Sequence, residues 1–138
     1  MPLERTAAAL IAAARSGLEA LTPAQLIAEW PAEATVLVDL REREEIARDG
    51  LLPGAIHVPR GLLEFAADSA SPLHNPALSP ERRVILYCAS GGRSALGAKA
   101  LREMGYTRLA HLEGGVLAWK AQGLPLSGAC GAVPDPSR

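Results

Sequence analysis

Arg83-Val84-Ile85-Leu86-Tyr87-Cys88-Ala89-Ser90-Gly91-Gly92-Arg93-Ser94 holds the change of pattern from which the rest of this chain is worked out. Residues 83–87 form an apolar, partly β-branched run, the mark of a strand buried on both faces. Gly91 and Gly92 interrupt it. From Ser94 to Met104 the residues favour a helix, and Gly105-Tyr106 ends that helix in the usual glycine manner. Strand, small-residue loop and helix in this order describe the βα unit of an open sheet, in which ligands bind beyond the carboxyl ends of the strands. Cys88 stands at that point.

The loop around Cys88 is built for an anion. Consecutive amides at a helix N-terminus favour negative charge, so they favour a thiolate over a thiol. Comparable sites lower a cysteine pKa to ~3.5–7.5. A cysteine at a strand end is also a common small buried hydrophobe. The neighbours shift the balance towards function. Gly91 and Gly92 permit positive φ and close backbone approach, which aim several N–H groups at one centre. Arg93 adds a fixed positive charge. A structural cysteine needs none of these. Cys88 is therefore the candidate nucleophile, with Ala89, Ser90, Gly91, Gly92, Arg93 and Ser94 as its anion-binding loop.

Outward from this unit the pattern alternates. Thr22-Pro23-Ala24-Gln25 is a helix start, with Thr22 as N-cap, Pro23 at the first helical position and Gln25 closing a capping box. This helix is expected to run to about Trp30. Thr35 to Leu40 reads as a buried strand, Arg41 to Arg48 as a charged helix stopped near Gly50, Pro53-Gly54 as a turn and Ala55 to Val58 as a short strand. Gly61 to Ala67 looks helical, and Ser69 to Pro80 is a Ser- and Pro-rich surface loop. Arg108 to Leu112 is a last strand and Gly115 to Gln122 a last helix. Strands alternating with helices predict an α/β fold, a parallel sheet with helices on both faces.

The 138 residues suit one domain, and 49% are hydrophobic, enough for a real core. Basic and acidic residues nearly balance, 14 against 15, and only 4% are aromatic. Neither a basic patch nor a stacking platform for nucleic acid is indicated, nor an anionic membrane surface. Two cysteines, Cys88 and Cys130, are no disulfide framework and fit a reducing, cytoplasmic setting. Thr6 to Ala14 is alanine-rich like a weak signal-peptide core, but Glu4 and Arg5 cancel and Arg15 follows at once. Ala7, Leu10, Ile11, Ala14, Leu18 and Leu21 fall at helical spacing. The stretch 1–21 is read as an amphipathic helical extension, packed on the domain or on a partner. No run reaches the ~20 apolar residues of a membrane span.

Leu37-Val38-Asp39-Leu40-Arg41-Glu42, Pro53 to Pro59, Tyr87-Cys88 through Ser94, Gly105-Tyr106, and Leu112-Glu113-Gly114-Gly115 with Ala118-Trp119 resemble, in order, the successive motifs of a single-domain rhodanese. The resemblance covers about Thr22 to Pro125. It implies a rhodanese-like three-layer sandwich, a five-stranded parallel sheet flanked by helices, with a rhodanese domain at 22–126 and a flexible tail at 127–138. It implies sulfur transfer without a cofactor through a persulfide on Cys88, from a small donor such as thiosulfate to cyanide, a thiol or a sulfur-accepting protein. By the same resemblance Ala89 to Arg93 cradle the terminal sulfur, Arg93 closes the loop, and Asp39 and Arg41 support it. Read without the family, Asp39 and Arg41 are an ordinary surface ion pair. Leu51 departs from the histidine frequent at that place in the family.

Other classes remain open on the residues alone. One is a cysteine phosphatase or arsenate reductase of the same fold. Another is a binding or sulfur-delivery module without turnover of its own. Only four residues separate Cys88 from Arg93 and none is an acid. That is a tight ring for a phosphoryl group with its three equatorial oxygens, and it lacks a proton donor for the leaving oxygen. Arg60 and Phe65, with the Ser69–Pro80 loop, are read as a candidate substrate pocket, Arg60 being otherwise a solvated surface residue. His57, His74 and His111 lack metal-ligand spacing, and His57 and His111 are read as core or edge residues. Cys130 is a relay thiol, a disulfide partner or a bystander in the tail.

Overall fold

The computed structural model describes residues 2–128. Five strands, β1 (Glu19–Leu21), β2 (Thr35–Asp39), β3 (Ile56–His57), β4 (Arg83–Tyr87) and β5 (Leu109–Leu112), form one sheet in the order β1-β5-β4-β2-β3. Every pairing is parallel. The helices are α1 (Ala7–Arg15), α2 (Pro23–Glu29), α3 (Arg43–Asp49), α4 (Leu63–Ala67), α5 (Gly92–Glu103) and α6 (Gly115–Ala121), with a short 3-10 turn at Arg60–Leu62.

Alternation along the strands sorts the core into two layers. Val36, Val38, Leu40, Val84 and Leu86 face one way and meet Leu63 and Ala66 of α4 and Ala98 and Leu101 of α5. Leu37, Ile85, Tyr87, Ala110 and Leu112 face the other way, against Leu26 of α2 and Val116 and Trp119 of α6. A leucine or isoleucine as buried as Leu37, Ile85 or Leu86 contributes about 1.5–3 kcal/mol. Both faces are therefore covered, as an all-parallel sheet requires.

Topology positions the site. From β2 the sheet grows outward to β3, then returns across β2 and grows the other way through β4 and β5. The reversal lies between β2 and β4, where helices leave the strand ends on opposite faces and open a crevice. Asp39 is registered with Tyr87 there, and the Leu40 amide donates to the Tyr87 carbonyl at 2.9 Å. Cys88 is the next residue along β4.

Two readings of the termini are corrected. The apolar stripe predicts helix from Ala7 as far as Leu21, but α1 ends at Arg15 and Gly17 turns the chain at φ +75°. Glu19–Leu21 then pair with Ala110–Leu112 as the edge strand of the sheet. Leu21 suits a helical stripe and a buried strand position equally, and the glycine between them ends the helix. At the other end Ser127, read as the start of a loose tail, is paired with Leu51: its amide and carbonyl each bond Leu51 at 2.9 Å. Cys130 lies outside the described residues.

Candidate active site

Cys88 is 1% exposed, at the floor of the turn that joins β4 to α5. The Gly91 amide donates to its Sγ at 3.2 Å and the Ser94 amide at 3.4 Å. Gly91 stands at φ +115° as the residue capping α5. That left-handed conformation turns its N–H inward and is accessible at little cost only to glycine. Ser94 closes the back of the site. Its hydroxyl lies 3.7 Å from Sγ, donates to the Gly91 carbonyl at 3.1 Å, and is hydrogen-bonded with His111 Nδ1 at 2.8 Å.

The loop is held from outside as well. Val116 N–H donates to the Cys88 carbonyl at 2.9 Å and Leu117 N–H to the Ala89 carbonyl at 3.1 Å, so the first turn of α6 satisfies two loop carbonyls. This approach needs a bare α-carbon. A β-carbon on Gly115, at φ +57°, would lie 2.5 Å from the Ala89 carbonyl oxygen.

Arg93 points to α3. Its guanidinium makes two parallel bonds to the Glu45 carboxylate, at 2.7 and 2.8 Å. The Arg93 bonds hold the Glu45 carboxyl at about 2, well below its ordinary 4.5, against an opposing burial cost. The Glu45 carboxylate also accepts from the Glu42 amide at 2.8 Å and so caps its own helix. One acid thus ties the loop arginine to the element that follows β2.

Asp39 and Arg41 are no surface pair. Both are 0% exposed. Arg41 Nη2 donates to Asp39 Oδ2 at 2.8 Å and to the Gly50 carbonyl at 2.6 Å, and Nη1 lies 3.6 Å from Asp49. The guanidinium also stacks 5.8 Å from the centre of the Tyr87 ring, and the Tyr87 hydroxyl accepts from the Leu52 amide at 3.0 Å. Burial, aided by the Asp39 charge, pushes the Tyr87 phenol well above its ordinary range and keeps it neutral. The network therefore clamps the end of β2 to the end of β4, one residue from Cys88.

The sequence model of the family described as "Rhodanese-like domain" matches residues 22–122. The chain belongs to that family. A sulfurtransferase of Allochromatium vinosum is 36% identical over 94 residues, 68% of this chain and 79% of that one. A Rhodopseudomonas palustris structure, described as a protein of unknown function and possible tyrosine phosphatase, superposes with TM-score 0.86 at 40% identity, covering 92% of this chain and 98% of that one. A thiosulfate sulfurtransferase of Pseudomonas aeruginosa superposes with TM-score 0.70 at 26% identity, covering 92% of this chain and 23% of that one. The chain spans a quarter or less of several other sulfurtransferase relatives. Sulfur transfer is the family-level chemistry that the Allochromatium vinosum and Pseudomonas aeruginosa relatives carry in their names.

Part of the expected pocket lies elsewhere in this rhodanese-like domain. Arg60 is bound to Glu64 at 2.8 Å and lines a groove between α1 and α5 with Leu10, Leu96 and Lys99, a groove that none of residues 88–93 borders. Phe65 stands half exposed on α4, outside that groove. The Ser69–Pro80 loop packs on Met104 and Tyr106, beyond the far end of α5 from Cys88. The α5 helix runs twelve residues, about 18 Å, between Cys88 and the residues of that loop that pack on Met104 and Tyr106.

Three residues at the rhodanese loop escape the sequence reading. Glu45 is one of three acids in Glu42-Arg43-Glu44-Glu45, and only the capping-box spacing from Glu42 marks it out. His111, read as a core or edge residue, is 3% exposed and bonded to Ser94. Burial first, then the nearby Arg15 charge, lowers the readiness of its imidazole to take a proton, and Glu113 opposes this. Arg15 reaches the loop from α1, so no spacing within the motifs points to it.

Among the described residues no helix is long and apolar enough to cross a membrane. His57 Nε2, on β3, is bonded to the Arg41 carbonyl beyond the end of β2 at 2.6 Å, and His74 Nε2 to the Leu78 carbonyl of its own loop at 3.1 Å.

Proposed function

We propose that this domain is a sulfurtransferase that carries sulfane sulfur as a persulfide on Cys88, taken from a donor such as thiosulfate and passed to cyanide, a thiol or a sulfur-accepting protein in the cytoplasm. The observation that carries the reading is the pair of amides, Gly91 and Ser94, on Cys88 Sγ inside a four-residue loop. Hydrogen bonds to a charged acceptor contribute about 1.5–3 kcal/mol each, and these two amides are the donors placed to hold a persulfide on Cys88.

The chemistry balances without a cofactor. The Cys88 thiolate attacks the outer sulfur of thiosulfate. Its electron pair forms the new S–S bond, and sulfite leaves with the pair of the bond that breaks. The persulfide anion stays on Cys88. An acceptor nucleophile then attacks the outer sulfur and the thiolate is regenerated. This is two-step covalent catalysis. Ala89 to Arg93 line the turn above Sγ, and Arg93, held by Glu45, keeps its shape.

The possible phosphatase activity named for the Rhodopseudomonas palustris relative is the second reading. The short loop without an acid argues against it. One experiment separates the readings. The purified protein is treated with thiosulfate and weighed by mass spectrometry, then treated with cyanide and weighed again. A gain of one sulfur atom, lost to cyanide and absent in Cys88→Ser, supports sulfur transfer. Sulfur gain without turnover marks a delivery module. Hydrolysis of an aryl phosphate that Cys88→Ser abolishes, with no sulfur gain, promotes the phosphatase.

A further inference from the structure

Helix α1 lies outside the residues the family model matches, yet it packs along α5 and covers the Cys88 loop. Ala14 is the buried residue of α1. Ile11 Cδ1 lies 3.1 Å from where a β-carbon on Gly92 would sit, and Arg15 Nη2 lies 3.1 Å from the same position on Gly91. Gly91 is the residue whose amide donates to Cys88 Sγ. Its other side is therefore roofed by a guanidinium supplied from another element. The absence of a side chain at Gly91 is what lets the cation come so close.

The two arginines at the loop are not equivalent. Arg93 is neutralised by the bidentate bond to Glu45. Among the described residues Arg15 makes no ion pair or side-chain hydrogen bond, although other basic residues beside carboxylates, such as Arg48, Arg83 and Lys99, do. Its charge is felt at the site, since it is one of the causes that keep the buried His111 imidazole neutral. Glu113, whose charge also acts on His111, forms an ion pair with neither arginine among the described residues. A dianionic donor must shed its water to reach Cys88, and an uncompensated guanidinium at the loop is the group that offsets that cost.

We infer that Arg15 is a substrate-binding residue: its guanidinium receives the anionic end of a sulfur donor of the thiosulfate or thiosulfonate class while the outer sulfur meets Cys88. The inference rests on the sulfurtransferase reading and adds to it the residue that receives the donor's anionic end. It makes α1 part of the site and not only a support.

The two half-reactions test it. Loading of Cys88 from thiosulfate is followed by quenched-flow mass spectrometry, and discharge of the loaded protein by dithiothreitol, a neutral thiol, is followed in the same way. Arg15→Gln is expected to slow loading about ten- to a hundredfold and to leave discharge unchanged. Arg15→Lys should recover most of the loss, and added salt should slow loading of the unsubstituted protein more than that of Arg15→Gln. Equal loading by Arg15→Gln and the unsubstituted protein overturns the inference alone. So does a parallel loss of loading and discharge that lysine does not rescue, the mark of a structural role. Should Arg15→Gln fail to fold, a salt-independent loading rate of the unsubstituted protein overturns it. Failure of the unsubstituted protein to gain sulfur at all overturns the sulfurtransferase reading instead.

Discussion

Ser94 Oγ lies 2.8 Å from His111 Nδ1 and 3.7 Å from Cys88 Sγ, so a single hydroxyl joins a buried imidazole to the candidate nucleophile. The ring fixes where that hydroxyl points, and the hydroxyl in turn faces the sulfur. His111→Leu leaves the Ser94 hydroxyl short of a partner and is expected to cost about 1–3 kcal/mol of stability, read from denaturant unfolding. His111→Asn, which keeps a hydrogen-bonding group, should cost less.

The same residue sets a pH dependence. The folded protein holds the His111 pKa below its ordinary 6.5. Below 6.5 the unfolded chain binds the proton and the folded one resists it, so this residue's contribution falls as pH drops through that value. Arg15 from α1, Glu113 from the turn after β5 and Ser94 from α5 are the groups that face the ring. Unfolding free energy measured from pH 7.5 to 5 should decline for the unsubstituted protein more steeply than for His111→Asn. Parallel curves would remove His111 from the account.

Glu45 acts at lower pH. Its carboxyl is held at about 2 against an ordinary 4.5, chiefly by Arg93. That contribution is complete above 4.5 and lost as pH falls towards 2. Solvent screens this partly exposed pair, so Glu45→Gln should cost only about 1 kcal/mol at neutral pH. The larger effect is expected on sulfur transfer, because Arg93 loses the partner that holds the loop. A variant that keeps full turnover would show that the loop needs no such anchor.

Breaking the buried clamp should be far costlier. Asp39→Ala strands the Arg41 guanidinium where neither residue meets solvent, and removing one partner of a buried pair typically costs 3–5 kcal/mol, taken here as about 4. Arg41→Lys should not recover it, since an ammonium cannot span Asp39 and the Gly50 carbonyl in the same plane. Chemical denaturation of both variants measures this directly.

Two glycines of positive φ offer a contrast. A β-carbon at Gly115 would press on the Ala89 carbonyl oxygen at 2.5 Å, while one at Gly17 would meet nothing within 4 Å. Gly115→Ala is expected to cost about 1–3 kcal/mol or more and to displace the loop, lowering sulfur transfer. Gly17→Ala carries only its backbone penalty. Similar stability losses in both would mean that φ, not the carbonyl contact, decides.

Local pattern determined much of this protein. The apolar run of β4 followed by Gly91-Gly92 and a helix places Cys88 at a strand end, and Thr22-Pro23-Ala24-Gln25 starts α2 with the capping box that forms. These features depend on neighbours a few residues away, so residue order alone carries them. Four strands are legible in the same way. The fifth, Glu19–Leu21, is not, because three residues that suit a helical stripe become a strand only when β5 offers an edge. Tertiary structure also decided which charges matter. Glu45 among three glutamates, Arg41 at zero exposure, and Arg15 across Gly91 are chosen by contacts between elements far apart in the chain. A charge pattern records that an ion is present. Only the fold sets how far it lies from its partner and how much water lies between them, and those two quantities fix what the ion contributes.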